Sequence, residues 1–418
     1  MNTRGIVAAV AAACLLTSAA GCDPGWSEAQ EIEVVAGGGE NDGGAAADAF
    51  IDGRLVDMVT GRDGTLRVLT EDKSALTLWT VESSQLRRVK VAGIKADYVS
   101  QAAAGAGDAV YVALWNGDGG VWQIKPDGSV TQKVGIDRDT YRGKRDPVAD
   151  GATAAGAYVR FLHGVAVSAD DRMYFAEERL EPVTHQLVRT VADGKLKTVL
   201  GRDLAGLTER QWRGARTSTG FPDGTPGRQV AVDNGLDVPL AAGPDGSLYA
   251  GVGQHSVVAV RPDGTTHEVI GNTGGTVDDD DDIPPGEPFE DRGPAVKARV
   301  NLLGTGSVRT GRSSASLVTD SLGNLYLTSV RPESDWLPDT FAWTGDVNDT
   351  QRQLLIRSKA QRRSDTEVLR VRPDGSLSTV AGHADAVAVH GDQLYLARAF
   401  TDEDGTPRVI VVRTAITG

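Results

Sequence analysis

Six positions along this 418-residue sequence share a place in a recurring pattern, and most carry side chains able to do chemistry. Asp57, Asp97, His163, Asp237, Ser316 and Asp385 each stand at the opening of a short apolar run. Carboxylates grouped at short range raise one another's proton affinity or draw in a divalent cation. The plainer alternative is that each Asp accepts hydrogen bonds from backbone amides where a strand begins. Both readings stay open at this point. His163 and Asp385, with His383 just ahead of it, could hold a metal, although no sequence-local zinc motif is present. Glu177 or Glu178 could pair with His163 for proton transfer. Asp278 to Asp282 is an acidic run without the ligand spacing of a calcium loop, and it reads as a solvated segment. The sequence has no Gly-rich phosphate loop, no serine elbow and no paired-histidine metal motif.

Residues so far apart meet only if the chain repeats a structural unit, and it does. One half of the unit is two short strands around a tight polar turn: GVAVSADDRMYFAE (164–177), PLAAGPDGSLYAGV (239–252), SLVTDSLGNLYLTS (316–329) and AVAVHGDQLYLAR (386–398). Weaker copies are DMVTGRDGTLRVLT (57–70) and VSQAAAGAGDAVYVALW (99–115). The other half appears as VWQIKPDGSVTQKVG (121–135), LVRTVADGKLKTVLG (187–201), VVAVRPDGTTHEVIG (257–271) and VLRVRPDGSLSTVAG (368–382). Pro presets the backbone of such a turn, Asp caps it, and Gly takes the positive φ. The unit is therefore four antiparallel strands, and six copies predict an all-β, six-bladed β-propeller.

The sixth copy ends with RVIVVRTAITG (408–418) and lacks its outer strand. EIEVVAGGG (31–39) matches the outer strand LSTVAG (377–382), so the N-terminal strand is expected to pair into the last blade and close the ring. The pattern resembles bacterial NHL-repeat propellers, whose blades end in a Val-Ala-Gly-like strand and continue through a Gly-Asp-Gly-Gly-Pro-Ala-like link. AGGGENDGGAAADAF (36–50) and FEDRGPAVKARVNLL (289–303) are similar to that link. The resemblance implies the architecture and says little about chemistry, because propellers host unrelated functions. Some propeller enzymes are metal-assisted lyases or lactonases with a site at the channel mouth, which is the alternative reading here.

In such a blade the first-to-second and third-to-fourth strand turns share one face. The long insertions 136–160, 202–236, 272–314 and 330–365 are expected on the opposite face, where binding residues gather. Trp336 and Trp343 lie in the last of them and could grip a ligand, with packing inside the loop as the alternative. The six residues named first would ring the channel mouth on that face. No cofactor is expected beyond a channel-bound divalent cation.

The N-terminus reads MNTRGIVAAVAAACLLTSAAGC, a charged start, a short apolar run and small residues before Cys22. This has the layout of a secretory signal, and Ala-Ala-Gly-Cys resembles a bacterial lipobox, in which Cys22 would carry the lipid. The expected layout is a signal over 1–21, a lipid-anchored linker over 22–30 and the propeller over 31–418. That places the protein on the outer side of the cell membrane, held by the lipid anchor only. With 43 basic and 57 acidic residues the net charge is −14, which argues against nucleic acid as a partner. The expected partner is a protein, peptide or cell-wall ligand, bound by a monomer.

Overall fold

The computed structural model of the chain describes residues 32–416 apart from 41–43, 74, 96–98, 116–118, 137–147, 160, 180–184, 204–207, 209–222, 231, 233–237, 253–255, 272–293, 299, 301, 303–314, 332–347 and 361–364. Each repeat folds as one antiparallel sheet. Blade one is β3 (Arg54–Thr60), β4 (Leu66–Asp72), β5 (Ala75–Glu82) and β6 (Gln85–Lys95). Blade two is β7 (Val99–Ala104), β8 (Val110–Leu114), β9 (Gly120–Ile124) and β10 (Val130–Gly135). Blade three is β11 (Leu162–Val167), β12 (Met173–Arg179), β13 (His185–Ala192) and β14 (Lys195–Leu200). Blade four is β15 (Leu240–Ala242), β16 (Leu248–Val252), β17 (Ser256–Val260) and β18 (Thr266–Ile270). Blade five is β19 (Leu317–Thr319), β20 (Leu325–Arg331), β21 (Asp365–Val371) and β22 (Leu377–Gly382).

Blade six carries the closure. Its first three strands are β23 (Ala386–His390), β24 (Gln393–Thr401) and β25 (Pro407–Ala415), and its outer strand is β1 (Ile32–Ala36). The pairing is antiparallel, with Ile32 opposite Thr414 and Val34 opposite Val412. An ion pair between Arg413 and Glu33 lies across the same seam. The short β2 (Ile51–Asp52) also pairs with β25, at Val409 and Arg408. The fold is an all-β, six-bladed propeller.

The turns behave as their residues dictate. In the Pro-Asp-Gly turn 125–129, the Lys125 N–H donates to Ser129 O and Gly128 adopts φ 82°. Asp127 Oδ1 accepts from both the N–H and the hydroxyl of Ser129, at 2.9 and 2.7 Å. Side chains alternate along each strand, and the apolar ones meet those of the next blade. The result is six separate cores, one between each successive pair of blades. Leu76, Leu78, Val110 and Val112 join blades one and two. Met58, Val68, Ala388 and Val411 join blade six to blade one.

One α-helix is present among the described residues, α1 (Asp349–Ala360), with Asn348 ahead of it. Asn348 Oδ1 accepts the Gln351 N–H at 2.9 Å, and Gln351 Oε1 accepts the Asn348 N–H at 3.2 Å. This reciprocal pair is a capping box. Leu354 and Leu355 of α1 enter the core shared by blades five and six, against Ile32 and Val34 of the closing strand. Among the described residues no helix is long and apolar enough to cross a membrane.

Candidate functional site

The level of a residue in the channel follows from the turn at the end of its strand. Thr60, Ala104, Val167, Ala242 and Thr319 each face the first residue of the second strand in their blade, and in blade six, where the turn is shorter, Val389 holds the same place opposite Leu394. Counting three residues back gives Asp57, Gln101, Gly164, Pro239, Ser316 and Ala386 as one level. Of the residues singled out in the sequence, Asp57 and Ser316 stand on this level. His163 and Asp385 each lie one residue before it. Asp97, Asp237, Cys22, Trp336, Trp343 and the Asp278–Asp282 run lie outside the described residues.

Three side chains on this level serve the backbone N–H groups around the channel. Asp57 Oδ1 accepts from Met58 N at 2.8 Å and Oδ2 accepts from Ala102 N at 2.7 Å, linking blades one and two. Gln101 Oε1 accepts from Val165 N at 3.0 Å and from Leu240 N at 3.1 Å. Its amide nitrogen donates to Leu240 O at 3.0 Å, so one side chain lies across blades two, three and four. Ser316 Oγ accepts from Val387 N at 3.3 Å, linking blades five and six. Asp385 acts in the same way within its blade, accepting from Ala399 N at 2.7 Å. The carboxylates described here are occupied by amides, and the girdle they form holds the inner strands together. Burial deep in the channel pushes Asp57 up to about 6, against the pull of the Ala102 and Met58 N–H groups. Gln101 escaped the sequence reading because it does not titrate.

His163 is buried, and its Nε2 lies 2.8 Å from Glu178 Oε2. This is the His–Glu pair the sequence offered, with Glu178 as the partner. Glu177 points elsewhere, into a closed ionic cluster. It meets Arg179 at 3.1 Å and Arg189 at 3.1 Å, all three side chains being at most 5% exposed. Both arginines also donate to Val148 O, which ties the link from blade two to blade three. Among the described residues no group of three His, Cys, Asp or Glu is placed to hold a metal ion.

The channel opens into a cavity of about 480 Å³ at the end where the first-to-second strand turns converge. Small side chains make the space: Ala102, Ala103, Ala166, Ala241 and Ala388 line it. At its rim Arg62 reaches from blade one to blade three, donating to Ser168 O at 2.9 Å and Asp171 Oδ1 at 2.6 Å. The rim also carries His390, which is exposed.

The two faces differ. On the cavity side all eleven turns within blades are two or five residues long. On the other side end the strands that precede 137–147 and 332–347, β10 and β20, and there begins β19, which follows 303–314. β14 and β18 also end on that side, whereas Gly224 and Pro294, further along the chain, lie against the outer strand of the next blade at Thr266 and Ser376. The described parts of three insertions do not project at all. They fold over the rim, where Ala154, Gly227 and Ala295 donate N–H bonds of 2.8 Å to the turn glycines Gly194, Gly264 and Gly375. Ala46 makes the same bond to Ser84 at 2.7 Å. The links at 151–156 and 225–227 are thus two further copies of the inter-blade link, which the sequence disguised by lacking Gly-Pro-Ala.

No protein-family model matches the chain, and no curated protein matches it in sequence. Among solved structures it is similar to a protein of unknown function from Bacteroides thetaiotaomicron, at 13% identity and TM-score 0.48, covering 92% of this chain and 76% of that one. It is also similar to the PQQ-bound aldose sugar dehydrogenase of Streptomyces coelicolor, at 13% identity and TM-score 0.40, covering 92% and 98%. A gluconolactonase-like protein aligns at 11% identity and TM-score 0.40, covering 93% and 94%. The blade assignment stands on the strand pairing alone.

Proposed function

We propose that the chain is an exported propeller of the NHL-repeat kind, held outside the cell membrane through a lipid on Cys22. On this reading it binds a protein, peptide or cell-envelope ligand through its loop-bearing face. The observation that carries the reading is the difference between the two faces. One is trimmed to turns of two or five residues, and every longer segment inside the ring leaves from the other. A rigid ring with variable loops on one side is a common arrangement for recognition. The girdle of Asp57, Gln101 and Ser316, bonded to backbone amides, supports binding over catalysis in the channel.

The test is crosslinking on intact cells. A partner captured by the native chain, kept by Asp127→Ala in a tight turn and lost on deleting 332–347, supports the reading. A partner kept by the deletion overturns the assignment to that face. The deletion spares 348–360, because Leu354 and Leu355 belong to the core.

A second reading, a metal-assisted lyase or lactonase, is favoured by the buried His163–Glu178 pair. It requires a stoichiometric metal or a turnover that His163→Asn and Glu178→Gln each abolish while the melting temperature holds.

A further inference from the structure

The closing strand fixes where the N-terminal tether leaves the body. In every blade the first and third strands run toward the tight-turn face, and the second and fourth run away from it. β25 is the third strand of blade six, so its end at Ala415 lies on the tight-turn face. β1 is the fourth, so its first residue, Ile32, lies on that same face, opposite Thr414. The loop-bearing end of the seam is at Ala36 and Pro407.

We propose that the tight-turn face, with the open cavity at the channel mouth, is the side turned toward the membrane in the anchored protein. The loop-bearing face is then presented away from the bilayer, to partners outside the lipid. This rests on the reading of Cys22 as the lipid-bearing residue.

The tether length supports the orientation. Nine residues, 23–31, separate Cys22 from Ile32. Fully extended they span about 30 Å, and as a flexible coil about 17 Å. Turning the loop-bearing face to the bilayer would require the tether to run back along the blade-six edge. The nine residues of β25 make that edge about 30 Å long at ~3.3 Å per residue. The whole tether would have to be stretched along it, with nothing left to reach the lipid.

The experiment uses single labels on the full, membrane-extracted protein. On this reading Cys14 leaves with the signal and Cys22 is blocked by lipid, so an introduced cysteine is unique. Leu322→Cys puts a donor dye on the tight-turn face, where Leu322 is 77% exposed. Glu403→Cys puts it on the loop-bearing face, in the exposed turn between β24 and β25. Each labelled protein is returned to vesicles carrying an acceptor dye on the lipid headgroup. Energy transfer several-fold stronger from position 322 than from position 403 is expected. Equal transfer, or the reverse order, overturns the orientation. Membrane partition is read separately on Cys22→Ala. If that variant stays in the membrane, or the native chain is not in it, the anchor itself falls and the orientation falls with it.

Discussion

A β-carbon placed on Gly164 would stand 2.9 Å from Gln101 Oε1, the atom that holds blades three and four to blade two. It would also stand 2.1 Å from the carbonyl oxygen of Val238, closer than any real contact. The glycine is needed here for space, because three inner strands approach one amide side chain.

Gly164→Ala should therefore destabilise the ring through overpacking, by ~1–3 kcal/mol. Gln101→Ala should cost on the order of 2–4 kcal/mol, since it leaves the Val165 and Leu240 N–H groups without their acceptor. Urea unfolding of the two variants and the double variant checks both values. Because the residues touch, the double variant should fall short of the sum. Additive losses would mean that the two sites are independent.

Asp57 sets a pH dependence whose sign is fixed by its surroundings. Its carboxyl is raised from 3.8 to about 6 in the folded chain. The folded state thus holds the proton more tightly than the unfolded one. The associated stability is fully present below about pH 4 and is lost as pH rises through about 6. The loss is at most ~3 kcal/mol at 1.36 kcal/mol per unit, and less where channel water screens the charge. Urea midpoints measured from pH 4 to 7.5 should show this fall in the native protein. In Asp57→Asn that contribution should be flat across the window.

Glu177→Gln should be costly. It removes the carboxylate that the buried Arg179 and Arg189 share, and leaves Arg189 with only the half-exposed carboxylate of Asp150. Breaking such a cluster from one side costs ~3–5 kcal/mol. The loss should exceed that of Asp170→Asn, whose carboxylate is 62% exposed beside Arg172. Thermal unfolding of the two variants tests the difference.

Asn348→Ala should weaken the closure at a distance along the chain. The cap of α1 contributes ~1 kcal/mol, and α1 packs on the closing strand. Hydrogen exchange should accelerate in Ile32–Ala36 before it does in β11. Unchanged protection of β1 would separate the helix from the seam.

The ring and its closure were legible because turn chemistry is local. Lys-Pro-Asp-Gly-Ser and its copies announce where strands reverse, and EIEVV repeats the outer-strand pattern. The channel was harder to read, because level is set by counting back from a turn and not forward to a valine. His163 and Asp385 thus fall one residue off the level of Asp57. Gln101 and Gly164, which shape the girdle, carry no titratable group to draw notice. α1 could have been found: Asn348 and Gln351 have the spacing of a capping box.

The seam between β1 and β25 joins residues about 380 positions apart, as Glu33 and Arg413 show. Among the described residues no strand pairing is more non-local, and loop-closure entropy opposes it until β25 exists. During synthesis, β1 must wait unpaired while five blades and most of a sixth form behind it. A chain stopped before residue 407 would keep two bare strand edges facing each other across a gap, and each could recruit a neighbour. Closure of the ring is therefore a single late event between β1 and β25, and truncation before residue 407 should give aggregates before it gives a smaller ring.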